Sequence, residues 1–256
     1  MIIDTHAHYD DARFDGLRES LLPQLHQNGV ELMVNAGACM STSRGGAALA
    51  EAYDYIYFAA GVHPSEVASL TSADMDELAR LLQHPKAVAL GEIGLDYHYP
   101  EPSKEIQRQW FEAQLDVAVQ TGKPVIIHDR EAHQDCLDIL LPRLSSINKV
   151  VFHCFSGEWE MARLLCDKGV YLGFGGVVTF KNARKSLDVV AQMPMELLLL
   201  ETDCPYLAPE PYRGKLNHSG LLPYVVEKIA QARGMESGEV EQITSQNARR
   251  FFDFQG

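Results

Sequence analysis

Cysteine, positive charge and long apolar runs are all in short supply in this chain. The five cysteines (Cys39, Cys136, Cys154, Cys166 and Cys204) are odd in number and form no Cys-x-x-Cys pair. That usage argues against a disulfide scaffold or a thiolate metal site, and for reduced thiols in a cytoplasmic protein. Cys154 and Cys204 read as small packed residues. No apolar run approaches the roughly 18 residues that span a bilayer. The first residues read as a strand and lack the basic segment and cleavable apolar stretch of a secretory leader. Only 22 Lys and Arg face 35 Asp and Glu, for a net charge of −13. This argues against a surface that coats long nucleic acid, because phosphate affinity needs clustered cations. A local positive site stays open.

What the chain has is a large apolar fraction, 46% against 22% charged residues, enough for a sizeable core. No linker, low-complexity tract or internal repeat interrupts its 256 residues, so residues 1–256 read as a single domain. Short apolar runs alternate with amphipathic stretches throughout. The runs are Ile2–His6, Glu31–Ala36, Ile56–Gly61, Ala87–Glu92, Pro124–His128, Lys149–His153, Val170–Phe174 and Glu196–Glu201. Several are apolar at consecutive positions, as in strands buried on both faces of a parallel sheet. Leu17, Leu21, Leu22 and Leu25 share one helical face, and Ile106, Trp110, Leu115 and Val119 another. Asp74 and Glu77 have capping-box spacing, and Ser156 reads as an N-cap for the segment of Trp159, Ala162 and Leu165. Two helical segments, 222–233 and 237–251, follow the eighth run.

Five histidines and two carboxylates stand where these runs stop: His6, His8, His63, His128, His153, Glu92 and Asp203. A lone histidine at a strand end is ordinarily packing or a solvated tip. Five of them, with two acids, form a pattern. A parallel barrel gathers strand C-termini into one ring, whereas an open doubly wound sheet spreads them along a line. The expected fold is therefore α/β, a single (β/α)8 TIM barrel with an extra C-terminal helix. His6 and His8 are two apart on a strand, so both imidazoles point to one face. Glu92 and Asp203 are costly charges at the ends of apolar strands unless partnered, and a metal is the natural partner. Four of the imidazoles plus the two carboxylates exceed what one tetrahedral ion takes, so two divalent ions are expected. Their +4 against two carboxylates leaves about +2, which favours an anionic substrate. His26, His84, His133 and His218 fall on helices or loops, and His98 lies past the fourth run; none is expected to ligate.

Lys181, Arg184 and Lys185 follow the seventh run, Arg213 and Lys215 the eighth, and Arg130 the fifth. Loops after strands seven and eight often bind phosphate in barrels. Tyr97, Tyr99, Tyr206 and Tyr212 lie in the same loops, where tyrosines either pack or stack on bases.

With these residues in place the chain resembles the TatD-type metal-dependent deoxyribonucleases of the amidohydrolase-like barrel group. The segments that carry the resemblance are Asp4-Thr5-His6-Ala7-His8, Arg13-Phe14-Asp15, Gly61-Val62-His63-Pro64 and Gly91-Glu92-Ile93-Gly94-Leu95-Asp96-Tyr97. They continue with Ile127-His128-Asp129-Arg130, His153-Cys154-Phe155-Ser156-Gly157, Thr179-Phe180-Lys181-Asn182 and Glu201-Thr202-Asp203-Cys204-Pro205-Tyr206-Leu207. The first motif is shared by many amidohydrolases; the ordered set is specific and covers essentially the whole chain. The resemblance implies one ion on His6, His8 and Asp203, another on His128 and His153, and Glu92 between them. Many binuclear amidohydrolases use a modified lysine where this chain has Glu92. One departure is Arg213-Gly214-Lys215-Leu216-Asn217-His218-Ser219, where many relatives carry Asn-x-Pro; it bears on substrate preference and not on the metal ligands.

The expected activity is exonuclease-like hydrolysis of DNA phosphodiesters, with single-stranded DNA or strand ends as substrate. Two ions (Mg, Mn or Zn) acidify a water and stabilise the attacking and leaving oxygens. Asp203 orients or deprotonates that water, His63 binds phosphate or protonates the leaving oxygen, and Lys181, Arg130 and Arg213 clamp the anion. The nearest alternative is a binuclear amidohydrolase, esterase or aminoacyl-tRNA deacylase, which needs no such clamp. A non-catalytic metal-dependent binding protein is the alternative of another class. The expected state is a cytoplasmic monomer.

Overall fold

A computed structural model describes residues 1–254. Eight strands form one sheet in the order β1-β2-β3-β4-β5-β6-β7-β8. They are β1 Ile2–Ala7, β2 Val30–Ala36, β3 Ile56–Ala60, β4 Ala87–Asp96, β5 Val125–Arg130, β6 Val150–Phe152, β7 Tyr171–Phe174 and β8 Leu198–Leu200. Helices alternate with them: α1 Arg18–Gln27, α2 Met40–Ala52, α3 Ser72–Leu81, α4 Lys104–Thr121, α5 His133–Leu140, α6 Trp159–Cys166, α7 Arg184–Gln192 and α8 Leu222–Arg233. An additional helix, α9, runs Ser237–Phe252. A doubly wound sheet reverses its strand order part-way; here spatial order follows chain order from first strand to last, and the fold class is (β/α)8. Among the described residues no helix is long and apolar enough to cross a membrane, and no disulfide joins the cysteines.

The chain divides into two compact units, Met1–Asn35 with His153–Gly256, and Ala36–Phe152. In the first, β1 pairs in parallel with β2 and β7 with β8. Its core includes Ile3, Met33, Leu172, Leu198, Leu199 and Phe251, all buried. In the second, β4 pairs with β3 and β5, and β5 with β6. Phe58, Leu90, Ile127, Phe152 and Phe111 are buried there. Alanines and glycines set how closely these strands pack. A Cβ on Gly61 would fall 2.6 Å from the Gly91 backbone, and one on Gly91 2.6 Å from Ile126 Cβ.

All eight expected strands are present, with revised ends. β4 extends through Asp96, so Glu92 lies inside a strand and not at its end. After a register shift between Leu90 and Ile93, Ile93–Asp96 finds partners in Ile127–Arg130 of β5, which likewise runs past His128. β8 shrinks to three residues behind a 3-10 turn, Met195–Leu197. The N-caps also differ. Asp74 reaches back to accept the Thr71 N–H (2.8 Å) and hydroxyl (2.7 Å), so Thr71 caps α3 and the box is Thr71/Asp74. Ser156 lies too far ahead of Trp159 to cap α6, and Glu158 holds that position.

Candidate functional site

His6 lies within β1 and His8 one residue past its end. The loop after β8 runs alongside them. Asp203 N–H donates to the His6 carbonyl (2.9 Å), His8 N–H to the Cys204 carbonyl (2.8 Å), and Ala7 bridges Cys204 in parallel. Asp203 adopts a left-handed backbone (φ 55°) in that loop, a conformation few residue types tolerate. The result is the convergence foreseen from the spacing of two. His6 Nε2 and His8 Nε2 are 3.1 Å apart, and Asp203 Oδ1 lies 3.3 Å from His8 Nε2 and 3.8 Å from His6 Nε2. The His153 ring stacks on His6 at 4.0 Å between centroids. Burial works to raise the Asp203 pKa, but a hydrogen bond from His8 and the imidazoles of His153, His8 and His6 leave it below the usual range.

Side-chain hydrogen bonds behind this cluster hold the loop in place. Asp4, fully buried, accepts from the Thr202 N–H (3.0 Å), the Thr202 hydroxyl (2.7 Å) and the Ser219 hydroxyl (2.6 Å). Tyr9 OH accepts the Ser219 N–H (2.9 Å), and Asn217 donates to the carbonyls of Thr202 (2.9 Å) and Tyr206 (2.7 Å). Burial pushes the Asp4 carboxyl up to about 6 despite these donors. Glu201, also buried, accepts the Cys154 N–H and stands 3.7 Å from His153 Nδ1; desolvation raises it to about 8.

A second cluster occupies the Ala36–Phe152 unit. Glu92 Oε1 lies 2.6 Å from His128 Nδ1 and 3.7 Å from His63 Nε2. The His63 and His128 rings meet edge to face at 4.2 Å. His128 Nε2 contacts Asp96 Oδ2 at 3.2 Å. Burial lowers the His128 pKa, yet hydrogen bonds to Asp96 and Glu92 and their charges raise it to about 9. Asp96, though desolvated, stays below its ordinary value because His128 and the His98 N–H donate to it. The Ser65 N–H donates to His63 Nδ1 (3.1 Å), which puts the ring proton of neutral His63 on Nε2.

In each cluster the potential donor atoms of two imidazoles and a carboxylate lie within 4.8 Å of one another: His6, His8 and Asp203; His63, Glu92 and His128. Mixed nitrogen and carboxylate donors suit divalent ions such as Zn, Mn or Mg, and the donor set fits the expected metal.

The residues expected to bind an anion have different surroundings. The Arg213 guanidinium covers the Phe180 ring at 4.3 Å, next in the chain to exposed Lys181. Neither cation has an ion-pair partner among the described residues. The two loops are pinned together, since the Glu210 N–H donates to Thr179 Oγ1 (2.8 Å). Lys185 is engaged by Glu158, and Arg130 sits 5.6 Å over Tyr99. Of the four loop tyrosines, Tyr97 is structural: its hydroxyl donates to Asp135 (2.6 Å) and Lys104 lies over its ring. Arg13 covers Tyr206 at 3.9 Å, Tyr212 packs on Tyr224, and Tyr99 is 56% exposed. His98 faces Glu131 and His133 faces Asp129; neither joins a cluster.

Sequence reasoning did not single out Asp4, Asp96 or Glu201. Even spacing was the available signal: Asp4 stands two before His6 and Asp96 four after Glu92, each pair on one strand face by periodicity, and Glu201 stands two before Asp203 just past β8.

Comparison with known proteins points to one family. A family model described as "TatD related DNase" matches residues 3–253. An uncharacterized metal-dependent hydrolase, YabD of Bacillus subtilis, is 40% identical over 98% of this chain and 99% of its own. The 3'-5' ssDNA/RNA exonuclease TatD of Edwardsiella piscicida is 33% identical over 98% and 99%. The crystal structure of YJJV, a TatD homolog from Escherichia coli K12, superposes with a TM-score of 0.91 at 31% identity over 99% and 98%. Matched along nearly its whole length in sequence and in fold, the chain belongs to the TatD family of metal-dependent hydrolases.

Proposed function

We propose that this protein is a two-metal phosphodiesterase that shortens single-stranded DNA from an end. The observation that carries the reading is the pair of imidazole–carboxylate clusters. In this reading His6, His8 and Asp203 hold one ion and His128 the second, with Glu92 and His153 completing the ligand sets. When bound, the ions supply Lewis acidity and neutralise charge on a phosphodiester. Asp203 keeps its carboxylate ionised among three imidazoles and orients or deprotonates the attacking water. His63, with its proton on Nε2, binds a phosphate oxygen or protonates the leaving oxygen. Lys181 and Arg213, without an ion-pair partner among the described residues of an acidic protein, attract and hold the anion, with Arg130 as a third contact. The Edwardsiella relative, a 3'-5' ssDNA/RNA exonuclease, supports the substrate class.

The test is metal-stripped protein with end-labelled single-stranded DNA, with and without Mg, Mn or Zn, beside Asp203→Asn and Lys181→Ala. A shortening ladder is expected that needs metal, falls about 100-fold or more in Asp203→Asn, and falls over about tenfold, or 1.4 kcal/mol, in Lys181→Ala. Metal-dependent hydrolysis of acyl or aminoacyl-tRNA esters, indifferent to Lys181, would replace this reading. Ion binding with no turnover of either substrate class would favour the non-catalytic alternative.

A further inference from the structure

We infer that Asp96 is a positioning residue that orients His128 toward its ion. The inference rests on the metal-dependent reading above and adds a residue to it. Asp96 ends β4 and is 5% exposed. Its two carboxylate oxygens have separate partners. Oδ2 faces His128 Nε2 at 3.2 Å, and Oδ1 accepts the His98 N–H at 2.9 Å. The backbone beneath is fixed by buried Gln107 of α4, which accepts the Asp96 N–H (2.8 Å) and donates to the carbonyls of Asp96 (2.9 Å) and Pro102 (2.8 Å).

An ionised carboxylate only accepts, so its contact with His128 places a ring proton on Nε2. Nδ1 donates in the same way to Glu92 Oε1 at 2.6 Å, and since Glu92 is itself a candidate ligand, Nδ1 is the nitrogen that would exchange its proton for a cation. Metal-ligating histidines commonly donate their other N–H to a carboxylate, which fixes the ring and strengthens the ligand. The structural alternative is that Asp96 only ties down the 97–102 loop through His98. That role uses Oδ1, whereas positioning uses Oδ2, and the two are separable.

The experiment titrates Mn2+ calorimetrically into the full-length, metal-stripped wild type, Asp96→Ala, Asp96→Asn and Gln107→Ala, with a thermal melt of each. Asp96→Ala is expected to weaken one Mn2+ site by about 10–100-fold. Asp96→Asn, whose amide oxygen still accepts from Nε2, should recover most of that loss. Gln107→Ala loosens the backbone beneath Asp96 but leaves both carboxylate oxygens in place; it should lower the melting temperature and weaken Mn2+ affinity by clearly less than Asp96→Ala. Wild-type affinity and stoichiometry in Asp96→Ala would overturn the assignment. So would equal losses in the Asn and Ala variants, which would make Asp96 a direct ligand, or equal losses in Gln107→Ala, which would make loop order the cause. A wild type that binds no Mn2+ overturns the metal-dependent reading as well. One that binds Mn2+ but cleaves no DNA refutes the substrate alone, and the Asp96 comparison still stands.

Discussion

The two candidate ligand clusters are built by different means. In the unit that carries His6, His8 and Asp203, the strand ahead of the acid is only three residues long. Asp203 therefore rides on a loop, and that loop is fixed by Asp4, Thr202, Asn217, Ser219 and Tyr9 through buried hydrogen bonds. In the unit that carries His63, Glu92 and His128, the acid and one imidazole sit inside long paired strands. Glycines bring those strands close, and a Cβ on Gly94 would collide with the His128 carbonyl. Polar pins position a ligand where the strand is too short to do so; backbone pairing positions it where the strand is long. The carboxylates behind the histidines differ too. Asp96 meets His128 at 3.2 Å, whereas Glu201 stays 3.7 Å from His153 and is held near neutrality by burial.

Three substitutions test this contrast. The largest effect on stability is expected from Gly94→Ala in the strand-built cluster. Gly94 has φ 144° and no room for a side chain, so a loss of about 2–4 kcal/mol should appear in chemical denaturation. A shift in Mn2+ affinity should accompany it, because the same backbone carries His128. A Gly94→Ala protein as stable as wild type would show that the strands have slack, and the contrast would lapse.

Ser219→Ala probes the pinned cluster. It removes the hydroxyl that Asp4 accepts at 2.6 Å and leaves a buried carboxylate short of a donor. Unfolding free energy should fall by roughly 1–3 kcal/mol, and DNA cleavage should fall with it, since the Asp203 loop loses a tether. Unchanged stability would mean that the remaining donors, Thr202 and the His6 N–H, suffice to hold Asp4.

The smallest effect is expected at a charge pair outside both clusters. Lys185 and Glu158 are exposed, so Lys185→Ala should change stability by less than about 1 kcal/mol. Its DNA cleavage should match wild type, in contrast to Lys181→Ala. Equal losses in both lysine variants would reduce the proposed clamp to general surface charge.

Much of the fold was legible because strand patterning is local. Runs such as Val125-Ile126-Ile127 and Leu198-Leu199-Leu200 are apolar at every position, and that mark of strands buried on both faces survives without any knowledge of neighbours. Their ends were less legible. β4 continues through Asp96 because β5 offers Ile127–Arg130 as pairing partners, a fact absent from either segment alone. The α3 cap moved for a similar reason: Asp74 serves Thr71 behind it, and the competing Glu77 spacing is equally good as a pattern.

Within the candidate site, His6 and His8 could be placed on one face from their spacing of two. The even spacing of Asp96 from Glu92 carried the same information, but a strand thought to end at Glu92 hid it. The basic residues of the later loops differ in a way the sequence did not show. Arg213 covers the ring of Phe180, the chain neighbour of Lys181, while Lys185 is taken by Glu158. Which exposed cation finds an anion depends on helix packing, and nothing in the local sequence distinguishes them.

By itself, the sequence determined the alternation of strands and helices, the imidazole and carboxylate types that follow the apolar runs, and the shared face of His6 and His8. Each follows from backbone periodicity and local chemistry. The tertiary structure decided which acids stand beside which histidines. Asp4 meets Thr202 across 198 residues of chain, Asp96 reaches His128, and Glu201 loses its charge near His153. Those pairings depend on strand register and on burial, which sets the energy of a charge only once distant segments have closed around it.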